Sequence, residues 1–271
     1  MFSYHNHTTF SDGSHTCEEM ILSAIDHNLD EFGVSDHFAI WYDGTVPEWS
    51  INDFGDYTKE LLSLKEKYTD KISVKIGVEL ENLPSMLNKE SEEINKYPLD
   101  YIIGGLHFVD DWDVGIYGVW DKFTEDEKDK NIIKFWKNQY YMCKYGDIDI
   151  VAHFDTYERW GALNDKDYSE YLIECLKVCK ERGLVTEINT IKKKPKINQY
   201  IPHIVEEFYP REDFIKIIAD YDIPVIISTD AHNTGYIDYY VEDAKALFRK
   251  YNIRRTARFE NRKAIIENVD F

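Results

Sequence analysis

The stretch YHNHTTFSDGSH, Tyr4–His15, sets two histidines one residue apart at the end of an apolar run, with a carboxylate a few residues further along the chain. In an extended strand residues i and i+2 share a face, so His5 and His7 aim two imidazoles at one point, with Asp12 in the loop beyond. That is ligand geometry, yet a solvent-facing pair on an edge strand has the same spacing. Whether other strands end in the same way decides between them.

Short apolar, β-branched runs recur along the chain at 2–7, 31–37, 72–81, 100–108, 147–154, 183–190 and 223–232. Amphipathic stretches separate them: helices are predicted at 17–28 and 125–145, opened by the capping boxes Thr16-x-x-Glu19 and Thr124-x-x-Glu127, and near 53–69, 85–96, 166–182, 211–221 and 238–251. Repeated strand, helix, strand implies parallel strands with right-handed crossovers, and seven such units close more readily into a barrel than they lie open. The expectation is an α/β fold, a TIM-like barrel, in one domain over residues 1–271, since no Pro/Gly/Ser-rich linker divides it.

In such barrels functional groups stand at the C-terminal strand ends. His5 and His7 end the first strand, with Asp12 in its loop; His37 ends the second, Glu79 the third, His107 the fourth, His153 the fifth, and Asp230 with His232 the seventh. Six of the nine histidines therefore converge with three carboxylates on one barrel mouth. Nine such donors exceed the four to six that one ion takes, and carboxylates bridge, so two or three metals are expected. The mixture of imidazole and carboxylate without thiolate points to a hydrolytic site for zinc, manganese or iron. Cys17, Cys143, Cys175 and Cys179 contain no Cys-x-x-Cys pair and read as buried core residues.

A net charge of −19 opposes binding to nucleic acid, which needs a basic surface to displace counterions. A small anion remains a suitable ligand where metals reverse the sign inside a pocket. No apolar run approaches the ~20 residues of a membrane span, and the N-terminus lacks a basic segment followed by an apolar one. The expected compartment is the cytoplasm. Oligomeric state is not readable.

HNHTTFSDG, SDH, GVELE, GLHF, AHFD, EINT and STDAH, in this order from Tyr4 to His232, resemble the polymerase and histidinol phosphatase (PHP) superfamily, and its stand-alone histidinol-phosphatase branch in particular. The resemblance implies a distorted (β/α)7 barrel with a trinuclear metal centre. It implies one ion on His5, His7, Glu79 and Asp230, a second on bridging Glu79 with His107 and His153, and a third on Asp12, His37 and His232. It further implies hydrolysis of L-histidinol phosphate to histidinol and inorganic phosphate in histidine biosynthesis, by metal-activated hydroxide attacking phosphorus. Glu79, Asp230 and His232 are then the residues on which catalysis turns.

Arg159, in HFDTYERWG, matches the branch's phosphate-binding arginine. Some relatives carry a second arginine after EINT; here Ile191 follows, and Lys192, Lys193 or Lys194 is the candidate replacement. The long loop HFAIWYDGTVPEW offers Phe38, Trp41, Tyr42 and Trp49 as a cover, with Trp41 the candidate substrate contact. The alternative reading keeps the metals and changes the substrate to a sugar phosphate, nucleotide or cyclic phosphodiester. A polymerase-associated module fits poorly with so acidic a chain. An amidohydrolase fits poorly too, since His107 stands where that family usually has a bridging lysine. His15, His27 and His203 read as loop or cap residues, and the basic tail after Tyr251 as packing beneath the barrel.

Overall fold

The computed structural model describes residues 1–41, 43–81, 84, 87–160, 163–191 and 208–271. Lys192, Lys193, Lys194, Tyr42 and His203 lie outside these. Strands β1 (Phe2–Ser3), β2 (Glu31–Val34) and β4 (Ser73–Ile76) form one parallel sheet. A second runs in the order β11 (Val225–Ser228), β10 (Val185–Asn189), β9 (Ile150–Val151), β6 (Ile103–Gly105), β5 (Glu79–Glu81), β3 (His37–Phe38).

The two sheets belong to one ring. β2 and β4 pair Val34 with Ile76, and β3 and β5 pair His37 with Glu79 in the same register, so β2 with β3, and β4 with β5, are each one strand interrupted for two residues. Asn6 bridges Ala231 in parallel, and the His7 N–H donates to Ala231 O at 2.9 Å, joining the first strand to the seventh. Seven parallel strands thus close a barrel of the TIM-like type. The interruptions at Ser35–Asp36 and Gly77–Val78 are the departure from the uniform strands expected from sequence.

The helices lie within three residues of their expected ends: α1 (Cys17–Asp26), α2 (Phe54–Lys67), α3 (Leu87–Ile94), α4 (Glu125–Tyr145), α5 (Ser169–Arg182), α6 (Glu212–Tyr221) and α7 (Val241–Tyr251). Both capping boxes are made, Thr16 with Glu19 and Thr124 with Glu127. His27 caps the C-terminus of α1, its Nδ1 donating to Ser23 O. All four cysteines are buried thiols. Among the described residues no helix is long and apolar enough to cross a membrane.

Burial divides by strand face. Phe32, Val34, Val74 and Ile76 pack outward under the helices, whereas Tyr4, Tyr101, Ile103, Ile150, Val185 and Ile226 fill the interior. The Tyr101 ring crosses the interior where Gly33 and Gly77 leave it room; a Cβ at either would stand 2.2–2.3 Å from it. An antiparallel hairpin, β12 (Arg255–Glu260) with β13 (Lys263–Asn268), brings Phe259 against Tyr4 and Tyr101 and closes the N-terminal mouth. The other mouth stays open and carries the site. There a short hairpin, β7 (Phe108–Val109) with β8 (Trp112–Asp113), rises from the fourth βα connection.

Candidate metal centre

The structure brings all nine sequence-chosen donors together. Glu79, 1% exposed, is the hub. Its Oε2 faces His5 Nε2 at 3.1 Å, His7 Nε2 at 3.5 Å and His37 Nδ1 at 3.0 Å; its Oε1 faces His153 Nε2 at 2.9 Å and His107 Nε2 at 3.7 Å. Asp230 Oδ1 lies 3.0 Å from His7 Nε2 and 3.7 Å from His5 Nε2. At the outer edge Asp12 meets His232 Nε2 at 3.2 Å and His37 Nε2 at 3.8 Å. Donor atoms fall into compact groups that could each hold an ion: His5, His7 and Asp230; Glu79 with His5 and His153; Glu79 with His37 and His107; and Asp12 with His7, His37 and His232.

Local structure explains the convergence. His5 and His7 share a strand face, as do Glu79 and Glu81. Asp230 sits in the left-handed region, φ 48°, which short polar side chains tolerate, and this turns its carboxylate back over the first strand. The loop carrying Asp12 is pinned by buried Asp36, which accepts from the Thr8 N–H (2.7 Å), the Thr8 hydroxyl (2.7 Å) and the Ser11 hydroxyl (2.5 Å).

Burial penalises charge on every group here. Against it, His5 and His37 hold Glu79 well below the usual carboxylate range, and His5 and His7 do the same for Asp230. In return Glu79 lifts the buried His37 to about 9 and, with Glu187, raises His5 well above its ordinary value. Burial and the neighbouring His232 and His37 push His7 down, and burial takes His107 down to about 3. Four donor atoms, His5 Nε2, both ring nitrogens of His7 and Glu79 Oε2, are buried without a hydrogen-bond partner among the described residues. Orphaned donors of this kind are costly, and divalent cations would satisfy them. The residues fit such ions.

A cleft of about 270 Å³ opens from the centre. Asp12, His37, His107, His153, Asp230 and His232 reach it from the barrel, and Arg159, Asp113, Trp49, Phe108, Thr156, Ile191 and Tyr209 complete its walls. Arg159 makes no ion pair with the described residues. Trp49 and Phe108 stack at 6.0 Å, and Trp41 stands against both. Phe38 is buried in the core against Phe54, away from the cleft.

Sequence reading passed over Asp113, Glu81, Glu187 and Thr156. Asp113 lies on a hairpin inside an irregular connection, where no periodicity marks it. Glu81 does carry a signal, two residues after Glu79 on the same strand face. Glu187 is a carboxylate within the apolar run VTEIN, and a buried charge in a strand calls for a partner.

A closed seven-stranded barrel with imidazoles and carboxylates at its C-terminal mouth defines a class of proteins built to hold divalent metals. Within that class the chain belongs to the PHP family: the PHP domain family model matches residues 3–191. It is 23% identical over 255 residues to the probable histidinol-phosphatase of Deinococcus radiodurans, covering 92% of each chain. It is 23% identical over 276 residues to the histidinol-phosphatase of Lactococcus lactis subsp. lactis, covering 96% of this chain and 94% of that one. Among solved structures it superposes with TM-score 0.80 and 20% identity on the Lactococcus lactis histidinol phosphate phosphatase crystallised with zinc, L-histidinol and phosphate, over 97% of this chain and 98% of that one. The structure of a protein from Listeria monocytogenes described as a putative histidinol phosphatase matches with TM-score 0.70 and 18% identity, over 89% of this chain and 99% of that one.

Proposed function

We propose that this chain is a metal-dependent phosphatase that hydrolyses L-histidinol phosphate to histidinol and inorganic phosphate, as one domain over residues 1–271. The observation that carries the reading is a single cleft in which six of the nine clustered donors, a cation (Arg159) and a carboxylate (Asp113) meet. A phosphate ester bearing an ammonium group and an imidazole needs that set of partners. The whole-length likeness to a protein crystallised with L-histidinol and phosphate supports this choice of substrate.

His5, His7, Glu79 and Asp230 would hold one ion, Glu79 as a bridge with His107 and His153 a second, and Asp12, His37 and His232 a third, with zinc, manganese or iron suited to these donors. When bound, the ions supply charge neutralisation of the phosphoryl oxygens and a water acidified towards hydroxide. Arg159 presents a planar fork to two non-bridging phosphoryl oxygens. Asp113 accepts the Gly115 N–H through Oδ1 at 2.6 Å, which leaves Oδ2 for the ammonium or imidazole N–H of the substrate. The stacked rings of Trp49 and Phe108 give the imidazole a flat wall. Asp12, 40% exposed in its side chain, and His232, 27%, form the wet edge along which protons exchange with solvent.

Ile191 favours a second reading. It lines the cleft where some relatives have a second arginine, and an apolar side chain there weakens the case for a doubly clamped phosphate. The second reading is another small phosphate ester: a sugar phosphate, nucleotide or cyclic phosphodiester. Phosphate release from L-histidinol phosphate and from this panel, with protein of known metal content, separates the two. A kcat/KM of about 10⁴ M⁻¹ s⁻¹ or more for histidinol phosphate, well above the panel, is the expected result. Metal-loaded protein that turns over a panel member and not histidinol phosphate overturns it.

A further inference from the structure

The six imidazoles are not held alike. A ligating imidazole offers one nitrogen to the ion, and the acceptor of its other N–H fixes tautomer and ring orientation. His5 Nδ1 lies 3.0 Å from Glu187 Oε2, leaving Nε2 to face Glu79 and Asp230. Glu187, 1% exposed, also accepts the His153 N–H at 3.1 Å, the Asn189 amide at 3.1 Å and the Ser228 hydroxyl at 2.6 Å. His107 Nδ1 lies 2.9 Å from Glu81 Oε2, and the His107 backbone N–H donates to both oxygens of Glu81 at 3.1 Å. Backbone and amide N–H groups only donate, so both carboxyl groups are held as acceptors. The Thr156 hydroxyl donates its one proton to His153 O at 2.7 Å and accepts from His153 Nδ1 at 2.6 Å.

His37 and His232 have no carboxylate dedicated to the ring, and among the inner imidazoles His7 has none either, both its nitrogens lacking a hydrogen-bond partner among the described residues. His232 Nδ1 is backed by a backbone carbonyl, Asp230 O, at 2.8 Å. His37 Nδ1 faces Glu79, which is itself a donor to the centre. Asp12, His37 and His232 side chains are 40%, 13% and 27% exposed, against 0% for His5 and His7, 1% for Glu79 and 3% for His153, with Asp230 at 13% and His107 at 19% the outermost members of the inner two sites.

Taking the metal-dependent phosphatase reading as its basis, we propose that Glu187 and Glu81 are positioning residues that lock His5 and His107 for metal binding, and that the site of Asp12, His37 and His232, which lacks such a carboxylate, is the weak and exchangeable one of the three. The ions then load in a graded order, the two barrel-floor sites first and the rim site last.

The test is stepwise dialysis of the zinc-loaded protein against increasing chelator, with zinc counted per chain. Wild type is expected to release one ion at a chelator concentration at least about tenfold below that needed for the other two. Asp12→Asn should abolish this early release and leave the two late ions in place. Glu81→Gln and Glu187→Gln should each bring one late ion forward by about 10–100-fold, and in cobalt-substituted protein shift the visible absorption of one site only. A general loss of fold would instead weaken all three together. Three ions leaving together from wild type overturn the proposal, as does an early phase that survives Asp12→Asn, or a Glu81→Gln release profile equal to wild type. Should Glu187→Gln not fold, wild type, Asp12→Asn and Glu81→Gln decide. Phosphate release from histidinol phosphate, measured on the same samples, keeps the two readings apart: graded release without turnover sinks the substrate alone, and turnover with ungraded release sinks this inference alone.

Discussion

Arg159 comes directly after the short 3-10 turn Thr156–Glu158, its backbone N–H donating to Thr156 O at 2.9 Å, so the turn that fixes His153 also delivers the guanidinium to the cleft. Charge-assisted hydrogen bonds contribute about 1.5–3 kcal/mol, so Arg159→Ala should lower kcat/KM for the phosphate ester by about one to two orders of magnitude, with metal content unchanged. Arg159→Lys should recover only part of this, because an ammonium cannot reproduce the two-pronged fork. Full activity in the alanine variant would remove Arg159 from the site. Glu90 on α3 is a different case, a buried carboxyl with no evident part in the chemistry. Its Oε1 accepts the Ile40 N–H at 3.3 Å and its Oε2 has no partner among the described residues. Burial, with Glu81 nearby, pushes it well above the ordinary value of 4.5. In the unfolded chain Glu90 loses its proton near pH 4.5, while in the fold it keeps it to higher pH. Between the two values the native state binds one more proton, and stability falls by about 1.4 kcal/mol per pH unit. Glu90→Gln should therefore match wild type in urea melts at about pH 4.5 and below and become progressively more stable toward neutrality. A difference that does not widen with pH would contradict the assignment of a buried proton.

Strand β6, Ile103–Gly105, shows how an element is shaped by what it must leave empty. A Cβ on Gly105 would stand 2.2 Å from Glu79 Oε1, whereas one on Gly104 would meet the apolar side chains of Ile148 and Met142 at 2.9–3.0 Å. Gly105→Ala should displace the hub carboxylate, lowering metal content and abolishing phosphate release in a chain that still folds. Gly104→Ala should cost about 1–3 kcal/mol of stability by overpacking and keep its metals; metal analysis beside a thermal melt separates the two, and equal metal content would refute the contrast. Eight of the nine donors were legible because they sit at or just past strand ends, and Asp12 because its loop follows the His5–His7 pair. So were the helices, whose capping boxes Thr16–Glu19 and Thr124–Glu127 formed as read. The breaks at Ser35–Asp36 and Gly77–Val78 were not, because they come from tertiary demands: Asp36 turns to hold the first loop, and Gly77 makes way for Tyr101. Pro210 directly precedes the N-cap Arg211 of α6, and the Arg211 N–H donates to Asp155 Oδ2 at 2.9 Å.

At the scale of the whole molecule, the chain separates a mouth that does chemistry from one that closes the barrel. The closing hairpin is the basic tail of an otherwise acidic chain, and its charges meet the acidic starts of the strands. Arg262, at the hairpin turn with φ 65°, bonds Asp149 Oδ2 at 2.5 Å and Asp147 Oδ1 at 2.9 Å, while its N–H donates to Asp100 O at 2.9 Å. Arg258 lies 3.7 Å from Glu31, which also accepts the Tyr4 hydroxyl. Composition revealed the basic run but not its target, since the strand starts are far away in sequence. Phe259 is fully buried, its ring centroid 5.4 Å from Tyr4 and 6.0 Å from Tyr101, and Tyr4 adjoins His5 in the chain. Phe259→Ala opens a cavity in a packed barrel floor and should cost about 3–5 kcal/mol. Strands that carry the donors are held by ladder hydrogen bonds and by the Glu187 network, neither of which includes Phe259. The variant should therefore melt well below wild type while keeping its metals and, per folded molecule at low temperature, its kcat/KM. If kcat/KM fell along with metal content in a chain that remained folded by circular dichroism, the two mouths would be mechanically coupled through Tyr4, and the floor would have to be counted as part of the site.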